Sequence, residues 1–130
     1  MNGPTAFGSR FRRLGGLGSA REGAAHWWAQ RLTALALVPL VFWFVASLAA
    51  LTGAGHGEVV AWLRGPIAPV MMIALLAAGF HHLQLGLAEV IEDYVHNQAA
   101  KITLIIAVKG GAALCALVSI LSVLRIALGP

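Results

Sequence analysis

Three stretches of this chain lack the polar stripe that a water-exposed helix carries. Leu32 to Leu51 has no charge, Ala68 to Ala88 has only His81 and His82 as ionisable groups, and Ile102 to Leu124 is interrupted by Lys109 alone. Each matches or exceeds the roughly 18 to 20 residues a helix needs to cross about 30 Å of hydrocarbon. A soluble bundle would show one polar face per helix, and Leu32 to Leu51 shows none. The pattern predicts an all-α membrane protein with three transmembrane helices, over about residues 32–52, 67–91 and 102–128.

Between the spans the punctuation is local. Residues 1–30 form an N-terminal arm and interfacial lead-in, and residues 31–130 the three-helix transmembrane unit. The five glycines from Gly3 to Gly18 predict an irregular arm with at most a short turn at Ser9 to Arg13. Trp27 and Trp28 beside Arg31 read as an interfacial belt, with rings at headgroup level and a guanidinium that snorkels or grips an anion. Pro39 removes a hydrogen bond inside the first span and can bend it. Gly53 to Gly57 reads as a turn and Glu58 to Arg64 as a short amphipathic helix, after which Gly65-Pro66 and Pro69 restart the chain. Val95 to Ala100 is short enough for a tight connection, and Gly110-Gly111 offers close approach to another helix.

Composition agrees: 59% of the residues are hydrophobic and 11% charged, too few charges to solvate a globule of 130 residues. The lone Cys115 lies in the third span, which excludes an intrachain disulfide. The formal charge of +4 does not point to nucleic acid, because the basic residues form no patch interleaved with aromatics. They sort by topology instead. Arg10, Arg12, Arg13, Arg21 and Arg31 precede the first span and Lys101 lies between the second and third, against Arg64 in the first connection and Arg125 at the C-terminal end. The positive-inside rule then predicts a cytoplasmic N-terminus and a C-terminus on the opposite side. The Arg-, Gly- and Ser-rich start, with Glu22 its only acid, also has the composition of a transit peptide; we read it as a retained cytoplasmic arm along a partner or the membrane surface.

The candidate chemistry concentrates in Phe80 to His96, FHHLQLGLAEVIEDYVH. From His82 to Asp93 is eleven residues, which at about 100° each is three turns plus about 20°. His82, Gly86, Glu89 and Asp93 therefore share one stripe, and His81 points about 100° away. A histidine in a membrane helix faces the bundle interior or a cavity, where it can be an axial haem ligand or simply bond a neighbouring helix. Gly86, one turn from His82, leaves room for a flat porphyrin against the backbone. Asp93 and Tyr94 lie about 16 to 18 Å along the axis. A phenol there can donate to a carbonyl oxygen with the carboxylate tuning it, or the pair can be an ordinary hydrated helix end. Glu89 reads as satisfied at the interface.

These residues carry a resemblance. The three-span layout, the lead-in His26-Trp27-Trp28-Ala29-Gln30-Arg31-Leu32-Thr33-Ala34 and the spacing His82-xxx-Gly86-x6-Asp93-Tyr94-Val95 are similar to the small hydrophobic membrane anchor, of D type, of succinate dehydrogenase (succinate:quinone oxidoreductase, complex II). The resemblance covers about Gly18 to the C-terminus. It implies that His82 is an axial ligand of haem b, that Arg31 sits near a haem propionate, and that Tyr94 and Asp93 belong to a ubiquinone pocket, Tyr94 bonding a quinone oxygen. It gives His81 no role, and Glu89 stands where a neutral residue is expected.

The resemblance further implies a haem-containing helical bundle shared with a second, cytochrome b-type anchor subunit in a bacterial inner membrane, with the C-terminus periplasmic. FAD and iron–sulfur clusters would reside in flavoprotein and iron–sulfur partner subunits; this chain has neither a Gly-rich nucleotide loop nor a cysteine cluster. The chain alone is then not catalytic, and passes electrons to quinone within the tricarboxylic acid cycle and respiratory chain. Two other readings use the same residues: a fumarate reductase anchor, and a small ion- or proton-translocating subunit with His82, Glu89 and Asp93 as a relay.

Overall fold

The computed structural model describes the backbone of residues 6–130 and the side chains from Arg21 onward. It consists of α1 (Ala6–Ala50), α2 (His56–Leu63), α3 (Ala68–Tyr94) and α4 (Gln98–Leu128). Among the described residues, three segments are long and apolar enough to cross a membrane: Arg21–Ala50, Ala68–Tyr94 and Gln98–Leu128. Each of the three apolar runs read from the sequence falls on one of these helices, although α1 ends at Ala50, two residues short of the expected bound, and α3 starts at Ala68, one residue after its expected start.

The N-terminal arm departs from expectation. From Ala6 it is helix, continuous with the first span, rather than irregular; residues 1–5 lie outside the described residues. A helix already nucleated by a transmembrane segment extends at the cost of propagation alone. Isolated glycines oppose that by only about 1 kcal/mol each, and no proline intervenes between Ala6 and Pro39. α1 also continues through Pro39.

The connections are set by single residues. Gly53, at φ +82°, takes the left-handed conformation that turns the chain beyond α1. The Glu58 carboxylate then accepts from the Gly55 backbone N–H at 2.7 Å, tying the start of α2. Trp62 of α2 stacks on Trp43 of α1, with centroids 5.7 Å apart and planes at 19°. Arg64 follows α2 and donates from Nε to the Ile126 carbonyl at 3.0 Å and from Nη2 to the Pro130 carbonyl at 2.6 Å. A guanidinium thus meets a carbonyl in the last turn of α4, at its negative dipole end, and one just beyond the helix. At the opposite end the Asn97 side chain accepts from the Ala99 and Ala100 N–H groups. That cap starts α4 at Gln98, ahead of its apolar run.

α3 is the central element: it packs on α1 and on α4, which among the described residues do not pack on each other. Only Ala68, Leu85, Ala88 and Ile91 of α3 and Val123 of α4 are buried hydrophobic side chains among the described residues. Phe42 is 73% exposed, and most large apolar side chains of α1 and α4 also face outward. Backbone hydrogen bonds are closed within each helix while the outer surface is apolar, which suits hydrocarbon and contact with other membrane helices.

Candidate functional site

α1 and α3 run antiparallel, and their polar residues meet in register. The Thr33 hydroxyl lies 3.0 Å from His82 Nδ1. One to two turns nearer the N-terminal side of α1, Gln30 Nε2 donates to Glu89 Oε2 at 3.0 Å, and His26 Nδ1 lies 3.8 Å from Glu89 Oε1. The stripe of α3 that carries His82 and Glu89 is therefore the stripe facing α1.

Proton counting at Thr33 orients the imidazole. A hydroxyl has one proton, and Thr33 Oγ1 lies 2.7 Å from the Ala29 carbonyl and 3.0 Å from the Gln30 carbonyl of its own helix. When that proton goes to the backbone, the contact to His82 is the one in which Nδ1–H donates to Oγ1. Nε2 then keeps its lone pair, the arrangement by which a second group fixes a metal-ligating histidine.

His82 lines an open groove of about 430 Å³ with Ala34, Leu37, Val38, Val41, Phe42 and Val45 of α1. Except for the imidazole the lining is aliphatic or aromatic. A Cβ added to Gly86 would meet nothing within 4 Å, so the backbone one turn from His82 is open to a planar group. An imidazole held by a hydroxyl beside an apolar wall is a donor set that would suit a haem, with His82 as the residue to hold its iron. No group of three or more His, Cys, Asp or Glu residues forms a metal cluster among the described residues.

At the membrane-surface end, the Arg31 guanidinium lies over the Trp27 ring at 4.4 Å from its centroid, and Trp27 meets Trp28 edge-on at 5.0 Å. Stacking holds the exposed cation near the level of the Gln30–Glu89 bond. Asp93 and Tyr94 follow one turn beyond Glu89 at the end of α3. Both are exposed, Tyr94 at 77%, and neither has a side-chain hydrogen bond among the described residues. Arg31, Asp93 and Tyr94 thus share one end of the bundle without touching.

His81, about 100° around α3 from His82, faces α4. Its Nδ1 lies 3.2 Å from Gln84 Nε2, and it lines a groove against α4 that contains Lys109. Adjacent histidines therefore belong to different helix interfaces. Thr33 and Gln30 are the partners the sequence did not single out; their signal was a hydroxyl and an amide at the start of an otherwise apolar run.

Residues 9–121 match the family described as succinate dehydrogenase/fumarate reductase transmembrane subunit. The chain is 35% identical over 92 residues to the succinate dehydrogenase hydrophobic membrane anchor subunit of Rickettsia bellii, covering 71% of this chain and 74% of that one. It is 30% identical over 114 residues to the subunit of the same name from Paracoccus denitrificans, covering 88% of each. To the succinate dehydrogenase membrane anchor subunit of Reclinomonas americana it is 26% identical over 92 residues, covering 68% of this chain and 77% of that one. No solved structure matches.

Proposed function

The chain belongs to the succinate dehydrogenase/fumarate reductase transmembrane subunit family, as a hydrophobic membrane anchor subunit of succinate dehydrogenase, and from that premise we propose that it supplies one side of a haem b site and part of a ubiquinone-reduction site. The observation that carries the reading is the Thr33–His82 contact, which leaves Nε2 available beside an apolar groove. His82 would hold the iron, with Thr33 fixing the ring and Arg31 balancing a propionate. When bound, the haem supplies a one-electron carrier within the bundle.

Tyr94 and Asp93 would form this chain's share of the quinone pocket. Reduction of a quinone to a quinol takes two electrons and two protons. Tyr94 Oη donates a hydrogen bond to a quinone carbonyl and polarises it, while the Asp93 carboxylate takes one proton from surface water and passes it to that oxygen; the second proton goes to the quinone's other oxygen, outside this chain's share of the pocket. Glu89, tied to Gln30 and 3.8 Å from His26, serves instead to brace α3 against α1.

The arm of residues 1–30 and the α3–α4 connection face the cytoplasm, the C-terminus faces the periplasm, and the protein sits in a bacterial inner membrane. A second anchor subunit completes the haem site, and iron–sulfur and flavoprotein subunits bring electrons to the cytoplasmic end, where Asp93 and Tyr94 lie.

The test is to purify the membrane complex through a tag on this chain and to reduce it with succinate. The expected result is co-purified flavoprotein and iron–sulfur subunits with sharp haem b bands in the visible spectrum. A complex lacking those bands would overturn the haem assignment, and a chain that purifies without the soluble subunits would overturn its role in the enzyme.

A further inference from the structure

The α3–α4 face carries polar chemistry that the haem and quinone reading does not use. Lys109 lies within the apolar run of α4, seven residues past Ile102 and so about 10 Å farther along the axis. It lines a groove of about 340 Å³ with His81 and Gln84 of α3, walled by alanines that include Ala112, Ala113 and Ala116. Among the described residues Lys109 is exposed and has no ion pair. Gln84 Oε1 is buried without a hydrogen-bond partner.

The two deficits are complementary. Gln84 Oε1 needs a donor, and the Lys109 ammonium has three. A bond between them would hold the ammonium in the groove at the depth of Gln84 and prevent it from snorkelling to the headgroups. An ammonium held there still needs a counter-charge, since intramembrane cations face protein and pair. The small-residue wall lets another helix backbone approach closely enough to bring one.

Resting on the reading of this chain as one anchor of a multi-subunit complex, we propose that the α3–α4 groove docks a transmembrane helix of a partner subunit that carries a carboxylate, and that this carboxylate pairs with Lys109. The contact lies on the opposite side of α3 from His82. The anchor assembly is then held at two separate faces, one by the haem and one by this ion pair.

The test uses the whole complex purified through a tag on this chain, with the membrane abundance of each variant measured separately. Lys109→Glu should lower the co-purified partner membrane subunit by at least about tenfold, because breaking a buried pair leaves an uncompensated charge. Lys109→Arg should keep it at the wild-type level, and Lys109→Glu should be rescued when one carboxylate in the partner's spans is replaced by Lys. In a Cys115→Ser background, Ala113→Cys should form a disulfide with a cysteine placed beside that carboxylate. Assembly of Lys109→Glu at the wild-type level would overturn the proposal, as would absence of a cross-link from every position tried. So would a phospholipid, detected by native mass spectrometry, that is lost from Lys109→Met while subunit ratios stay unchanged. A wild-type chain that purifies without any membrane partner would overturn the anchor reading and this one with it.

Discussion

His81 and His82 are chemically identical neighbours on one helix, yet they face different interfaces. His82 meets a hydroxyl on α1 that also lies 2.7 Å from the Ala29 carbonyl of its own helix, and it lines an apolar groove. His81 meets an amide on its own helix and shares a groove with a lysine. The difference comes from about 100° of helix rotation and from what each neighbouring helix presents. An oriented imidazole on an apolar wall suits a metal in a hydrophobic cofactor; an imidazole among donors and a cation suits polar contact between helices.

The largest effect expected from breaking this contrast is at His82 itself. His82→Ala should abolish the haem b bands of the purified complex, whereas His81→Ala should leave them near wild type; the reduced-minus-oxidised spectrum reads both. Tyr94→Phe should come next, because it removes one hydroxyl at the exposed end of α3, beside Asp93. Loss of a donor worth about 1 to 3 kcal/mol should slow succinate-dependent quinone reduction by roughly 5- to 150-fold. Succinate oxidation by an artificial acceptor that bypasses the membrane should be unchanged, and an equal fall in both would make Tyr94 structural.

A smaller effect should follow from Thr33→Val, which keeps the shape but removes the acceptor for Nδ1–H. Metal-orienting partners are worth about 10- to 100-fold in affinity, so transfer of haem from the complex to apomyoglobin should accelerate about tenfold, the low end of that range. A rate equal to wild type would show that Thr33 does not orient the ring. Glu89→Gln should change least. Its contacts are exposed, and such pairs are worth about 1 kcal/mol or less. Quinone reduction should stay within about fivefold of wild type, whereas a proton relay through Glu89 would be abolished.

Much of this was legible from spacing. Three long apolar runs predict three spans, and the eleven-residue interval from His82 to Asp93 fixes a stripe on any continuous helix. Both belong to one helix's periodicity and need no knowledge of its neighbours. The Thr33–His82 contact was not legible, because it joins residues 49 apart through the packing register of two helices. The role of Arg64 was not legible for the same reason: its partners, the carbonyls of Ile126 and Pro130, become neighbours only when α4 returns beside α2. The helical arm was missed because glycine content marks local preference, while a helix already formed downstream can override it.

The central claim is that His82, and not His81, presents its Nε2 to the haem iron, and loss of a bound group is weaker evidence for this than a change in its ligand. His82→Met keeps a side chain of similar reach and replaces an imidazole with a thioether, a change that raises haem potentials. Redox titration of the complex should show the haem b midpoint shifted upward in His82→Met and unchanged in His81→Met. An unchanged midpoint in His82→Met, or an upward shift in His81→Met, would contradict the account.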